Sequence, residues 1–139
     1  MKTRGLRLPD WPERLAAYLR QDHRFSWTGT NCGQFAAGAV QAMTGIDVGA
    51  EFRGARTKRE QLAILRRVAG GDVEAAATMI GGQPLPSVLM AMRGDVVSVP
   101  APDGAALGIC TGRDVAILSP DLGVVRVPLA VCRKAWRTG

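Results

Sequence analysis

The chain has 139 residues, 47% of them apolar, and its 18 lysines and arginines against 12 acidic residues give a formal charge of +6. This length and apolar content indicate one globular domain over residues 1–139, with its own core and no room for a second domain. The glycines follow no triplet period, heptads are absent, and three cysteines are too few for a disulfide scaffold. Fibrous and disulfide-rich classes are therefore excluded.

The first helix is predicted over residues 12–21, because Asp10 precedes an early helical proline and apolar residues then recur on one face. Asn31 is predicted to cap a second, alanine-rich helix. Gly45 is placed to end that helix in a left-handed conformation. The small residues of this second helix predict close packing against its neighbours.

Two further helices follow. Thr57 and Glu60 have capping-box spacing, and the apolar face that comes after them runs to Gly70. Asp72 is predicted to cap a short fourth helix that ends at about residue 80. Beyond the glycines and prolines of residues 81–86 the apolar spacing changes from helical to alternating.

Four strands are predicted in the second half of the chain, at residues 95–99, 107–111, 115–118 and 124–127. Their connections are of hairpin length, which predicts an antiparallel meander. Residues 129–136 are expected to close the chain as a short helix or turn against the sheet. The predicted class is α+β, with N-terminal helices packed on one face of a small sheet of about four strands.

The cysteines and the termini bear on compartment and cofactors. The three cysteines are far apart and only one histidine could join them as a ligand, so no metal and no cofactor is predicted. Reduced thiols are the expectation. No apolar run approaches the roughly 18 residues of a membrane span. Residues 1–11 are basic without a following hydrophobic stretch, which predicts neither a signal nor a transit peptide and favours synthesis in the cytoplasm.

Cys32 is the candidate nucleophile, because an Asn31 cap places its sulfur in the first turn of a helix, where the helix dipole favours a thiolate. The competing interpretation is a small buried thiol that only packs. An active cysteine also needs a base within hydrogen-bond reach. The single histidine, His23, lies between Asp22 and Arg24 and is predicted to have a surface or packing role.

The most basic stretch lies between residues 53 and 67 and supplies the candidate partner-binding side chains. These are Arg53, Arg56, Lys58, Arg59, Arg66 and Arg67. No aromatic residue lies among them, so nucleic-acid binding is predicted to be less favoured than a solvated helix face or an acidic protein partner. Phosphate-binding glycine loops are absent.

The order of Trp27, Cys32 at the start of an alanine-rich helix, Gly94-Asp95, and Leu107-Gly108-Ile109 resembles NlpC-type cysteine peptidases. The resemblance implies a papain-like fold and cleavage of peptidoglycan peptides. In that pattern the general base is a histidine on the strand after the Gly-Asp strand. Here Ala105, Ala106 or Leu107 holds that place.

A closer resemblance, over nearly the whole chain, is to small phage and prophage proteins of unassigned function that are usually encoded in the tail module. The matching features are Phe25-Ser26-Trp27 before Asn31-Cys32, Phe35-Ala36-Ala37, Thr44-Gly45, Phe52-Arg53-Gly54, Arg93-Gly94-Asp95-Val96-Val97, Ala106-Leu107-Gly108, Val127-Pro128-Leu129 and Ala135-Trp136. Relatives commonly read Trp-Gly-x-x-Asp-Cys, whereas this chain has its glycine displaced and asparagine in place of the aspartate.

The resemblance implies a structural protein of the virion tail, at the tail tip or baseplate, in which a degenerate peptidase fold binds other tail proteins. An active peptidoglycan peptidase or amidase using Cys32 is the alternative, and a nucleic-acid-binding module is the third. Peptidoglycan is accordingly a second candidate partner.

Overall fold

The computed structural model describes residues 7–102 and 104–139. The α-helices are α1 (Trp11–Arg20), α2 (Cys32–Thr44), α3 (Lys58–Ala69) and α4 (Val73–Gly81). The strands are β1 (Val96–Ala101), β2 (Gly104–Cys110), β3 (Asp114–Ser119), β4 (Gly123–Pro128) and β5 (Lys134–Trp136). Short 3-10 turns lie at Ala50–Phe52, Val88–Met90 and Leu129–Val131. Residues 1–6, which belong to the basic stretch predicted to be neither a signal nor a transit peptide, lie outside the described residues. So does position 103, which was predicted to lie in a turn.

The helix starts follow from side-chain caps. Asn31 accepts a hydrogen bond from the Gln34 backbone N–H at 2.9 Å. Thr57 and Asp72 accept equivalent bonds at α3 and α4. These caps confirm the predicted starts. The expected cap at Asp10 is wrong, because its carboxylate bonds Arg14 at 2.8 Å instead and makes no cap hydrogen bond.

The sheet is antiparallel, with strand order β4-β3-β2-β1-β5. The first four strands form the predicted meander. The prediction of a helix or turn over residues 129–136 is wrong in its second half, where Lys134–Trp136 forms a fifth strand on β1 and Val96 faces Trp136. A three-residue strand is too short to show alternation in the sequence, so its pairing with a strand almost forty residues earlier decides its conformation.

Helices cover one face of the sheet. Leu15, Met43, Ile109 and Trp136 belong to one buried cluster between the helices and the sheet. The opposite face buries a second cluster, which includes Val97 and is covered by the two 3-10 turns at Val88–Met90 and Leu129–Val131. The predicted α+β arrangement with helices on one face is therefore confirmed.

Glu74 of α4 ties the helical layer to the strands. Its carboxylate accepts hydrogen bonds from Ser98 of β1 at 2.6 Å and from Arg133 at 3.0 Å, and the residue is 8% exposed. The Arg133 hydrogen bond, with help from Ser98, lowers the pKa of Glu74 although burial opposes the change.

Replacing Glu74 with glutamine is expected to lower the free energy of unfolding at pH 7 by about 2 kcal/mol, the usual value for a hydrogen bond to a charged group. A carboxyl whose pKa is depressed by folding stabilises the protein above its unfolded pKa and loses this contribution as the pH falls through the folded value. Urea unfolding from pH 7 down to pH 3 will therefore show the gap between wild type and Glu74→Gln closing below about pH 4.5. The exposed Glu13 provides the control, because Glu13→Gln is expected to show almost no gap at any pH.

Candidate functional site

Cys32 occupies the first position of α2, directly after its cap. Asn31 is 5% exposed, and besides capping the helix it donates from its amide to Gln61 of α3 at 3.1 Å. The helix start is thus held from two sides. This start lies against β2, where Leu107 forms a backbone hydrogen bond with Cys32. The predicted position of Cys32 at a helix start facing the sheet is confirmed.

The surroundings of Cys32 do not activate its thiol. Burial raises the pKa of Cys32 above its usual value, and backbone hydrogen bonds from Leu107 and Gly33 compensate only in part. Burial likewise raises the pKa of Cys110 and of Cys132. All three cysteines are free thiols. The pKa of Cys32 is therefore shifted in the direction opposite to the one expected from the helix start, because burial disfavours the charged thiolate.

The His23 side chain packs at the end of α1, against Tyr18 and Phe35. Its Nε2 forms a 2.6 Å hydrogen bond with the Tyr18 carbonyl. Its ring lies 4.6 Å from the Tyr18 ring and 5.0 Å from the Phe35 ring, between centroids. Among the described residues no hydrogen bond joins His23 to Cys32. The packing role predicted for this residue agrees with these contacts.

Tyr18 does not replace the missing base. Its hydroxyl donates to the Phe35 carbonyl at 2.7 Å, and burial raises its pKa to about 12. A phenol with that pKa stays protonated at neutral pH and cannot accept the thiol proton. On the strand where the NlpC pattern places a histidine, Leu107 is buried in the core instead.

An apolar cavity of about 100 Å³ lies beside Cys32, between α2, α3, α4 and the sheet. Small side chains of α2 and α4 leave this space, among them Ala36, Ala37, Ala76 and Ala77. The close packing predicted for the small residues of α2 therefore does not extend to the side of the helix next to Cys32.

A more polar cleft of about 360 Å³ adjoins this cavity. Trp27, Tyr18, Gln34, Arg53 and Gln61 are among the residues that line it. The two spaces share Gln34 and Gln61 as walls. The Trp27 ring packs edge-on against Phe25, with centroids 4.9 Å apart. The cleft thus lies next to the helix start that carries Cys32, but the cysteine itself lines the apolar cavity.

The candidate basic residues divide into two groups. Arg53 forms a two-point ion pair with Asp47 at 2.6 and 2.7 Å, which raises the pKa of Arg53, so this arginine is engaged within the chain. The other candidates are all exposed: Arg56, Lys58, Arg59, Arg66 and Arg67. In the described part of the chain, no ion pair involves the four arginines of that second group. They remain candidates for an acidic partner.

Asp95, predicted from the sequence as the first residue of a strand and as part of a motif, is fully buried and joins three segments. It accepts hydrogen bonds from the Thr138 backbone N–H at 3.1 Å and the Met92 backbone N–H at 2.9 Å. Its carboxylate also pairs with Arg7 at 3.1 Å and Arg137 at 3.4 Å. Arg7 in turn bonds the Thr138 carbonyl. In the sequence, the arginines at positions 7 and 137 are the feature that could have suggested an ion pair with Asp95.

No grouping of three or more histidine, cysteine or acidic side chains suited to a metal occurs in residues 7–102 and 104–139. Within the same residues, no helix has the length and apolar character needed to cross a membrane.

The protein is thus an α+β domain in which a cysteine starts a helix packed on an antiparallel sheet. A family model described as a domain of unknown function, DUF6950, matches residues 6–138. The chain therefore belongs to the DUF6950 family. A comparison with the curated proteins finds no match.

Proposed function

We propose that this protein is a structural component of a phage or prophage-derived tail, at the tail tip or baseplate, and that its NlpC-like fold binds other tail proteins without peptidase activity. The tail assignment is supported by the resemblance of its sequence motifs to tail-module proteins. The absence of activity is supported by one observation above all. Cys32 holds the nucleophile position with a raised pKa, while the single histidine bonds the carbonyl of Tyr18.

A thiol without a base cannot perform the two proton transfers of peptide cleavage. In cooperating catalytic groups, loss of one member removes nearly all of the rate, about a million-fold in one well-studied hydrolase. What α2 retains is a buried helix start joined to α3 through Asn31 and Gln61. Such a scaffold presents the exposed arginines of α3 to a partner, and electrostatic complementarity then favours acidic surfaces of neighbouring tail proteins.

Cys32→Ala is expected to leave infectivity unchanged when virions are assembled with the variant, and to lower the stability of the purified protein by only about 1 kcal/mol. Neither wild type nor variant is expected to release peptides from peptidoglycan, as measured by chromatography and mass spectrometry. Cys132→Ala is the matched control, since this half-buried thiol bonds the Pro128 carbonyl and lies outside the residues lining the cavity.

Two results contradict the proposal. Release of peptides by wild type and Cys132→Ala, but not by a correctly folded Cys32→Ala, would establish the peptidase instead. Purified tails that lack the protein in mass spectrometry would remove the structural role.

A further inference from the structure

A cluster of exposed apolar side chains lies on the sheet face opposite the helices. Leu89, Met90, Met92 and Val131 are 66%, 50%, 60% and 57% exposed and form what is called here the apolar patch. They lie on or beside the 3-10 turns Val88–Met90 and Leu129–Val131, which contact each other. Four of the seven large exposed apolar residues in the described chain thus gather at one place, an arrangement typical of an interaction surface.

The rim of the apolar patch is cationic. Arg113 is exposed, its carbonyl accepts the Leu129 N–H at 2.9 Å, and no ion pair with another described residue engages its side chain. Arg137 donates to the Met90 carbonyl at 3.3 Å. Arg137 is itself paired with the buried carboxylate of Asp95 at 3.4 Å, so Arg113 supplies the cation at this rim that has no ion pair among the described residues. The patch therefore fits an apolar group that carries a free carboxylate beside it.

The same chain has such a group in the turn between β3 and β4, called here the hairpin tip. Leu122 is 78% exposed, the highest value among its large apolar residues in the described part. Asp121 beside it is exposed and forms no ion pair with any described residue. Hydrogen bonds from both backbone N–H groups to the Ser119 hydroxyl, each 3.3 Å, hold the turn in shape.

The hairpin tip and the apolar patch lie at opposite ends of the β3–β4 hairpin. The tip joins the end of β3 to the start of β4, whereas Arg113 precedes β3 and Leu129–Val131 follows β4. Each strand has six residues, or roughly 20 Å at the usual rise, so a tip cannot reach the patch of its own chain. A second copy displaced along the hairpin can bring the two together.

We infer that the occupant of the apolar patch is the hairpin tip of a second copy of this chain. Leu122 inserts among the patch side chains and Asp121 pairs with Arg113. The contact is heterologous, so each copy offers one tip and receives one, and repetition builds a ring or a filament. This self-association goes beyond the proposed tail role and does not depend on it. Because one inserted side chain and one ion pair carry the contact, the dissociation constant is expected to be micromolar or weaker.

Sedimentation equilibrium of the purified protein, from about 10 μM to about 1 mM, measures this association. Wild type is expected to gain mass with concentration, while Leu122→Ser and Leu89→Ser each weaken association at least tenfold. Leu62→Ser is the matched control, because Leu62 is exposed on α3 and belongs to neither surface. If Leu89→Ser does not fold by circular dichroism, Val131→Ser takes its place.

Mixing the two weakened variants distinguishes this arrangement from others. Leu89→Ser keeps an intact hairpin tip, and Leu122→Ser keeps an intact apolar patch. The two variants are therefore expected to form a one-to-one pair with wild-type affinity. A wild type that stays monomeric throughout the range would overturn the inference. So would a mixture that fails to associate, or a Leu122→Ser variant that associates as wild type does, since that result indicates a patch-to-patch dimer.

Discussion

Replacing Asp95 with alanine will lower the free energy of unfolding by about 4 kcal/mol, the largest loss expected from a single substitution among those considered. The carboxylate is fully buried, and its removal leaves Arg7 and Arg137 without a counter-charge and the Thr138 N–H without an acceptor. Urea unfolding at pH 7, with the thermal midpoint as a second measure, tests this. A fall of about 10 °C in the midpoint is expected.

Asp10→Ala is the matched control for Asp95. Asp10 also pairs with an arginine, at 2.8 Å from Arg14, but its side chain is 57% exposed. Solvent-exposed pairs contribute less than about 1 kcal/mol. Equal losses in the two variants would contradict a role for Asp95 in joining the segments. Asp95→Asn, which keeps the volume and removes the charge, provides the measurement if the alanine variant does not fold.

Gly108→Ala is expected to destabilise the protein by about 3 kcal/mol, the upper part of the usual range for overpacking. A Cβ at this position would lie 2.5 Å from the Ala116 carbonyl oxygen and 2.5 Å from the Ile117 side chain. The oxygen belongs to the backbone of the neighbouring strand, so relief requires β2 and β3 to move apart and not merely a new rotamer. Thermal and urea unfolding measure the loss.

Gly29→Ala is the corresponding control. A Cβ added at position 29 would have the Ser26 Cβ as its nearest neighbour, at 3.8 Å, which is an ordinary van der Waals contact. The stability of this variant is expected to stay within about 0.5 kcal/mol of wild type. A Gly108→Ala variant as stable as Gly29→Ala would mean that the strands separate at little cost. The glycine of the Leu107-Gly108-Ile109 motif would then need another explanation than close strand packing.

Two motifs of the peptidase resemblance have structural explanations that need no catalysis. The aspartate of Gly94-Asp95 holds both ends of the described chain to the sheet through Arg7 and Thr138. The glycine at position 108 allows β3 to approach β2. Both roles concern packing and charge pairing within the chain, and neither requires a catalytic base.

The helices, most of the strands and the position of Cys32 could be predicted from the sequence. The cap of α2 joins Asn31 to an amide three residues later, and Gly45 ends the same helix at a φ of 77°. The meander follows from short turns between neighbouring strands. These features depend on contacts between residues close in the chain, so local residue types are sufficient to predict them.

The strand β5, the raised pKa of Cys32 and the pairing of Asp95 could not be predicted from the sequence, because each depends on contacts between distant parts of the chain. Asp95 meets Arg7 from 88 positions away and Thr138 from 43. The pKa of Cys32 is raised because packing removes solvent from its thiol, and the local pattern at the helix start does not report that burial. Contacts between distant residues, and the solvation that packing removes, depend on how complete elements come together, and local patterns carry little information about either.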